Sequence, residues 1–270
     1  MATMQGIFAK EGLTANLIIT PNAVQALEAG QVQFAITQPP FAADAQGGSL
    51  VAVGVLVPSY PAAIVAAPGI TSVSQLKGKT FGCTTAAGLV CTVEKLFIAS
   101  QNWTLSNPVD PLGSLSALEA AFESGQVQGF VYDWAVAVQL QSQGQANIVG
   151  NLQQYVPSWY SASVVTTTQF AASNPNTVRL FLTALYQSNL WLSQNPNATE
   201  SWLMSHYSYN LDAAETVYND TGFSLTGIMQ PSVMELMYNQ TAAAQNLPPI
   251  IWQSTYTNDY LPTITYDPST

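Results

Sequence analysis

The sequence predicts an α/β protein with two domains, and three observations support this. Short apolar runs alternate with helical patterns between residues 8 and 142, as expected for parallel sheets of the α/β type in both units. Extended segments near residues 60–67 and 163–168 each leave one α/β unit, as a pair of crossing strands between two domains would. Beyond residue 168 the pattern is helical. We therefore expect two α/β domains joined by a two-strand hinge, with a helical C-terminal region.

The first α/β unit begins with a helix through Phe8 and Lys10. Pro21 and Gly30 indicate the start and the stop of the next helix, since proline suits the first helical position and glycine the residue after the last. We expect strands at 16–20, 32–37, 50–57 and 60–67.

The second unit repeats this plan with parallel strands, and helices follow it. We expect strands at 80–83, around 109, at 129–132 and at 163–168, and helices at 72–76, 87–101, 114–124 and 134–142. Asn174 and Pro175 start an amphipathic helix, and further helices are expected at 198–205, 211–221 and 231–245.

Composition limits the class of partner. The 270 residues are 48% hydrophobic but only 7% charged, and the net charge is -10, from 15 acidic and 5 basic residues. Basic clusters that bind phosphate are lacking, so nucleic acid and anionic lipid are not expected partners. No apolar run reaches the ~20 residues that span a bilayer. Because few carboxylates can be paired with basic groups, we hypothesise an acidic, extracytoplasmic habitat.

The two cysteines, Cys83 and Cys91, are eight residues apart and leave two alternatives open. They form either a disulfide between a strand end and the next helix, or two buried thiols. A metal site is not expected, because His206 is the one histidine in the sequence. For the same reason neither thiol is expected to be catalytic, since no histidine lies near it in sequence.

Several motifs occur in a fixed order along the chain. They are GIFAKEGL at 6–13, AGQVQFAI at 29–36, PPFA at 39–42, LKGKTFG at 76–82, GQVQG at 125–129 and SNP at 173–175. This series resembles the nitrate, sulfonate, taurine and thiamine-precursor branch of the solute-binding proteins that supply ABC importers. The resemblance runs from residue 6 to about residue 200.

The resemblance implies a two-domain periplasmic-binding-protein type II fold. It places domain I at 1–66 plus 165–270, without the family's first strand, and domain II at 67–164. It implies a monomer that closes around a small solute and presents it to an ABC permease outside the cytoplasm. A membrane tether would lie outside this chain. No cofactor and no enzymatic activity are expected.

Ligand binding in such a cleft requires convergent polar groups and aromatic walls. Three places after strand ends meet this requirement, and the return crossing adds a tryptophan. The candidate binding residues are Gln38, Pro39, Pro40, Phe41, Thr84, Thr85, Ala86, Asp133, Trp134 and Trp159. Each has a structural alternative: turn and core packing for the proline segment, helix capping for the threonines and Asp133, and packing for Trp134.

The solute class stays open in the sequence. Backbone N–H groups and hydroxyls at Thr84 and Thr85 would suit a sulfonate, taurine or nitrate. Phe41, Asp133 and Trp134 would suit a thiamine-type pyrimidine instead. Two further alternatives are a pyrimidine-synthesis enzyme on the same fold and a surface interaction protein that binds no solute.

Overall fold

The protein is a mixed α/β structure with two sheets, as a computed structural model describes it for residues 6–20, 22–86, 88–104 and 106–263. Its strands are β1 (Ala35–Thr37), β2 (Leu50–Val57), β3 (Ala62–Ala66), β4 (Phe81–Cys83), β5 (Val109–Pro111), β6 (Gly129–Asp133), β7 (Asn147–Asn151) and β8 (Ala162–Thr167). Its α-helices are α1 (Ile7–Lys10), α2 (Ala23–Glu28), α3 (Phe41–Ala45), α4 (Leu89–Ser100), α5 (Leu115–Glu123), α6 (Trp134–Ser142), α7 (Thr168–Ser173), α8 (Pro175–Gln194), α9 (Pro196–Tyr207), α10 (Leu211–Thr221) and α11 (Pro231–Gln245). The predicted α/β class and helical C-terminal region are confirmed.

The contacts divide the chain into two compact units. The first lies within Met1–Pro58, Trp159–Thr199 and Gly222–Thr270, and the second within Ser59–Ser158 and Glu200–Thr221. These limits differ from the expected boundaries at residues 66 and 165, because all of β3 pairs in the second sheet and all of β8 in the first. The segment 200–221 joins the second unit through α10, which packs on α6.

The first unit contains a sheet in the order β1-β8-β2, in which β8 pairs antiparallel with both neighbours. Apolar residues of β2 and β8 pack against α8 in a common core, which includes Val53, Val164, Leu182 and Tyr186. The expectation of parallel strands is wrong for this sheet. The strand that returns from the second unit runs opposite to both strands that precede it.

The second unit contains a mixed sheet in the order β5-β4-β6-β3-β7. Strand β4 is parallel to β5 and β6, whereas β3 is antiparallel to β6 and β7. A core of Val65, Leu118, Phe122, Phe130 and Leu140 packs between this sheet and helices α5 and α6. The predicted parallel arrangement is therefore confirmed for β4, β5 and β6.

The strand expected at residues 16–20 is not present. Leu17, Ile18 and Ile19 are 78%, 60% and 94% exposed, and the segment pairs with no strand among the described residues. Its apolar composition favours an extended conformation, but a strand also needs a neighbour for its backbone N–H and C=O groups.

Two expected helix starts, at Pro21 and Ala87, lie outside the described residues. The helices in question are observed from Ala23 and from Leu89. Within the described part of the chain, no helix combines the length and the apolar content that crossing a membrane requires.

Candidate functional site

Two neighbouring parallel strands of the second unit send the chain in opposite directions after they end. Strand β4 leads through α4 to β5 on one side, and β6 leads through α6 to β7 on the other. Open α/β sheets bind ligands outside the carboxyl ends of strands at such a topological switch point. We call the residues that follow these two strand ends, namely Thr84, Thr85, Ala86 and Asp133, the switch-point site.

The loop after β4 carries two hydroxyl groups that do not cap the next helix. Thr84 is half-buried, and Thr85 and Ala86 are exposed. Helix α4 begins after Gly88, so its N-cap residue has no side chain that could accept a hydrogen bond from the first turn. The Gly88 N–H donates to the Thr85 carbonyl (2.8 Å), and the Thr85 Oγ1 occupies the space that a Cβ on Gly88 would need. The capping alternative for Thr84 and Thr85 is therefore wrong, and within the described part of the chain no side chain caps the positive end of α4.

A disulfide joins Cys83 to Cys91 and closes this loop, with 5.1 Å between the two Cα atoms. Both cysteines are buried and pack with Val90, Val109 and Tyr132. Of the two alternatives left open by the sequence, the disulfide is the one that the structure contains. It fixes the end of β4 against the first turn of α4.

Asp133 forms the other side of the switch-point site. It ends β6 and is the N-cap of α6, where its carboxylate accepts a hydrogen bond from the Val136 N–H (3.3 Å). Burial raises the pKa of Asp133, and the backbone hydrogen bonds that it accepts oppose this shift. The expected alternative role in capping is confirmed.

The charge of Asp133 influences the phenol groups of three tyrosines. Burial and then the charge of Asp133 raise the pKa of Tyr60 and Tyr132 above the ordinary value, and that of Tyr209 to about 12. Tyr60 precedes β3, whose first residue, Ala62, is paired with Asp133. The site thus presents neutral hydroxyl groups beside one carboxyl group.

Trp134 does not face this site as a stacking platform. It is 7% exposed and belongs to the apolar core of the second unit, where its indole N–H has no hydrogen-bond partner among the described residues. The expected contact with a planar solute is thus replaced by packing. The physical reason is that Trp134 is the first residue of α6, on the side that meets the sheet.

The remaining candidates lie in the first unit. Gln38 is partly exposed, Pro39 and Pro40 are buried, and Phe41 packs edge-on against Tyr238 with 5.7 Å between the ring centres. Trp159 is 1% exposed, its backbone N–H donates to the Pro58 carbonyl (3.1 Å), and its indole N–H has no hydrogen-bond partner among the described residues. Phe41 and Trp159 therefore have packing roles in this structure.

Sequence reasoning missed three groups at the switch point: Tyr60, Tyr209 and Glu94. The two tyrosines reach Asp133 through strand pairing and through the segment 200–221, which no local pattern indicates. Glu94 gave a signal, because it lies on the apolar stripe of α4 formed by Val90, Phe97 and Ile98. An acidic residue on such a stripe marks a buried carboxyl group.

His206 lies on helix α9 and is not among the residues of the switch-point site. It is exposed on α9 and stacks on Trp202, with 4.2 Å between the ring centres. The described residues contain no group of three or more His, Cys, Asp or Glu side chains that could hold a metal ion.

Comparisons with known proteins place the chain in a family. The profile described as NMT1/THI5 like matches residues 1–199, well over half of the chain. A search of the curated proteins found no match.

Several solved structures share the fold. The Candida albicans CA3427 gene product, reported with the generic periplasmic binding protein fold, is 15% identical with a TM-score of 0.74, over 98% of this chain and 93% of that one. The alkanesulfonate-binding protein SsuA from Xanthomonas axonopodis pv. citri, bound to MOPS, is 17% identical with a TM-score of 0.73, over 95% and 92%. The desulfurization enzyme DSZB is 12% identical with a TM-score of 0.68, over 96% and 92%. The predicted periplasmic-binding-protein fold is thereby confirmed.

Proposed function

The chain belongs to the NMT1/THI5-like family, and from this membership we propose that it is the extracytoplasmic solute-binding component of an ABC importer. It binds a small organic or anionic solute, of the sulfonate, taurine or nitrate kind, and delivers it to the permease as a monomer. The observation that carries the proposal is the switch-point site at the carboxyl ends of two inner strands. There the hydroxyl groups of Thr84 and Thr85 lie next to the start of α4, which no side chain of the described residues caps.

The chemistry of the site supports a solute with oxygen acceptors. The first N–H groups of α4 carry partial positive charge, and Thr84 and Thr85 add hydroxyl donors. The two lysines nearest to β4 in sequence, Lys77 and Lys79, both precede the strand and therefore lie at its amino end, opposite to the switch-point site. Backbone N–H groups and hydroxyls would thus supply the polar contacts to an anion in place of a basic side chain.

A second candidate solute is a nitrogen heterocycle such as a thiamine-type pyrimidine. Asp133 with Tyr60, Tyr132 and Tyr209 favours this alternative, since a carboxylate accepts from ring or amino N–H groups and phenol rings can pack on a planar ligand. An enzyme on this fold is the less favoured reading here. Both cysteines are joined in the disulfide, which removes them as nucleophiles.

A thermal-shift screen tests the function. Alkanesulfonates, taurine, nitrate and thiamine-type pyrimidines are each added to the purified protein, and a true solute at a hundredfold excess over its Kd should stabilise the fold by about 2.7 kcal/mol. Thr84→Ala and Thr85→Ala should each weaken a sulfonate about fivefold, as the loss of one ordinary hydrogen bond does. Thr216→Ala on α10 is the matched control.

The outcomes of this screen separate the candidates. A response to sulfonates that depends on Thr84 and Thr85 supports the proposal, and a response to pyrimidines alone supports the second candidate. Turnover of a pyrimidine precursor would indicate the enzyme. No response to any compound would contradict solute binding and favour a surface interaction protein.

We also propose an acidic habitat, in keeping with an extracytoplasmic location. Burial raises the pKa of Asp44, Glu94, Asp133 and Asp220 above the ordinary values. Groups with raised pKa values favour folding most at low pH, and that contribution is lost as pH rises through the folded-state pKa. Thermal melts from pH 7 down to pH 3 should show retained stability, and a collapse below about pH 4 would contradict the proposal.

A further inference from the structure

Strands β4 and β6 separate before they reach the switch-point site. Their ladder consists of the single pair Phe81 and Gly129 among the described residues. A regular parallel ladder would continue with Cys83 opposite Val131, two residues further along each strand. The strands therefore diverge at the end that carries Thr84 and Asp133.

The N–H group of Val131 points toward the side of β6 where β4 lies. Along β6, alternate residues direct their backbone groups to alternate neighbours, and the Gly129 N–H, two residues earlier, donates to Thr80 just before β4 (3.3 Å). The Val131 N–H donates to the Glu94 Oε2 atom of α4 (3.3 Å). A side-chain carboxyl group thus takes the place in which a strand carbonyl is expected.

Glu94 is fully buried, and its Oε1 atom has no hydrogen-bond partner among the described residues. Burial raises its pKa well above the ordinary value. A buried carboxyl group with one unused oxygen is costly for a helix whose face is otherwise apolar. Packing alone would favour leucine at this position, so the residue needs another explanation.

We propose that Glu94 is a positioning residue, which holds β4 and β6 apart at their carboxyl ends and so sets the spacing of the switch-point site. It occupies the Val131 N–H, and the Cys83–Cys91 disulfide holds the end of β4 against the same helix. The inference rests on the proposed function, because the spacing matters for a solute that contacts both Thr84 and Asp133.

The test compares Glu94→Gln with Glu94→Leu. Glutamine keeps an oxygen that accepts from Val131, whereas leucine removes the acceptor and fills a similar volume. Binding of two named probes, MOPS and hexanesulfonate, is measured by calorimetry well below the melting temperature. We expect Glu94→Gln to bind within about twofold of the native protein and Glu94→Leu to bind at least tenfold more weakly, as expected when one or two hydrogen bonds are misplaced.

A second measurement needs no solute. In uniformly labelled protein, NOEs between the backbone protons of Cys83 and Val131 report whether the ladder has extended. We expect them in Glu94→Leu and not in Glu94→Gln. Glu123→Leu, at an exposed position of α5, is the matched control, and Glu94→Met replaces Glu94→Leu if the latter does not fold.

The two measurements distinguish the two levels of inference. If the native protein binds neither probe, the sulfonate proposal fails, and the NOEs alone decide the role of Glu94. If the native protein binds a probe and Glu94→Leu binds it equally well, the positioning role is wrong and the proposed function stands. An unchanged ladder in Glu94→Leu and Glu94→Met would likewise overturn the inference.

Discussion

Loss of the Cys83–Cys91 cross-link should lower the free energy of unfolding by about 2.5 kcal/mol at 25 °C. The magnitude follows from the loop that the disulfide closes, since eight residues separate the cysteines and the chain-entropy relation for a loop of about eight residues gives this value. The cross-link limits the unfolded chain, so its effect does not require any change in native contacts. Because both sulfur atoms are buried, the bond must be reduced in the unfolded state.

Urea titrations of the oxidised and the reduced protein measure this difference. Hydrogen exchange by mass spectrometry should show faster exchange for the amides that exchange only on unfolding, whereas a loss confined to the segment from β4 to α4 would indicate changed native contacts instead. The variant with both Cys83→Ala and Cys91→Ala should not respond to reductant, which makes it the control. A difference below about 1 kcal/mol between the oxidised and reduced forms would refute the loop-entropy reasoning.

Three further substitutions test the described contacts. As pH rises above 4.5, the ordinary pKa of Glu, the Glu94→Gln variant should become increasingly more stable than the native protein, because the raised pKa of Glu94 makes its ionisation in the folded state costly. Urea titrations at pH 4 and pH 8 measure the difference in unfolding free energy between the two proteins. The same difference at both pH values would contradict the prediction. Asn107→Ala should lower the free energy of unfolding by about 3 kcal/mol, since the buried Asn107 side chain makes hydrogen bonds to three backbone groups of the turn before β4. A loss under about 1 kcal/mol would mean that water replaces these hydrogen bonds in the variant. Gly54→Ala should lower the melting temperature, because the added Cβ would overlap the Tyr186 hydroxyl oxygen, and Tyr186→Phe in the same chain should recover part of the loss.

Local signals were enough to predict the elements that carry them. Strand β2 occupies the range 50–57 that was expected from an uninterrupted apolar run, and α6 occupies 134–142, between its cap Asp133 and Gly144. In both cases the residues that decide the conformation lie inside the element or next to it.

Elements that depend on a distant partner were predicted less well. The strand β7, Asn147–Asn151, was missed because its main support is pairing with β3, and its two apolar residues, Ile148 and Val149, are adjacent and do not alternate with polar ones. The segment at 16–20 was predicted as a strand because its side chains favour one, yet no pairing occurs. Sequence patterns report propensity, whereas strand pairing depends on residues far away in the chain.

The candidate site follows the same rule. Thr84, Thr85 and Asp133 were predicted because each follows a strand, and carboxyl ends of parallel strands share one edge. The aromatic neighbours of Asp133 were assigned incorrectly, since Trp134 packs inward and Tyr60 and Tyr209 take its place. Which aromatic side chain faces a site depends on helix orientation, which a sequence pattern leaves undetermined.

The helices of the second unit differ in whether a side chain caps their first backbone N–H groups. Helices α5, α6 and α10 are capped by the side chains of Ser114, Asp133 and Asn210. Helix α4 follows Gly88 and lacks such a cap in the described residues, although two threonines precede it. A capping side chain would occupy the N–H groups that an anionic solute needs. The missing cap therefore leaves the start of α4 less satisfied in the empty protein, and solute binding would offset that cost.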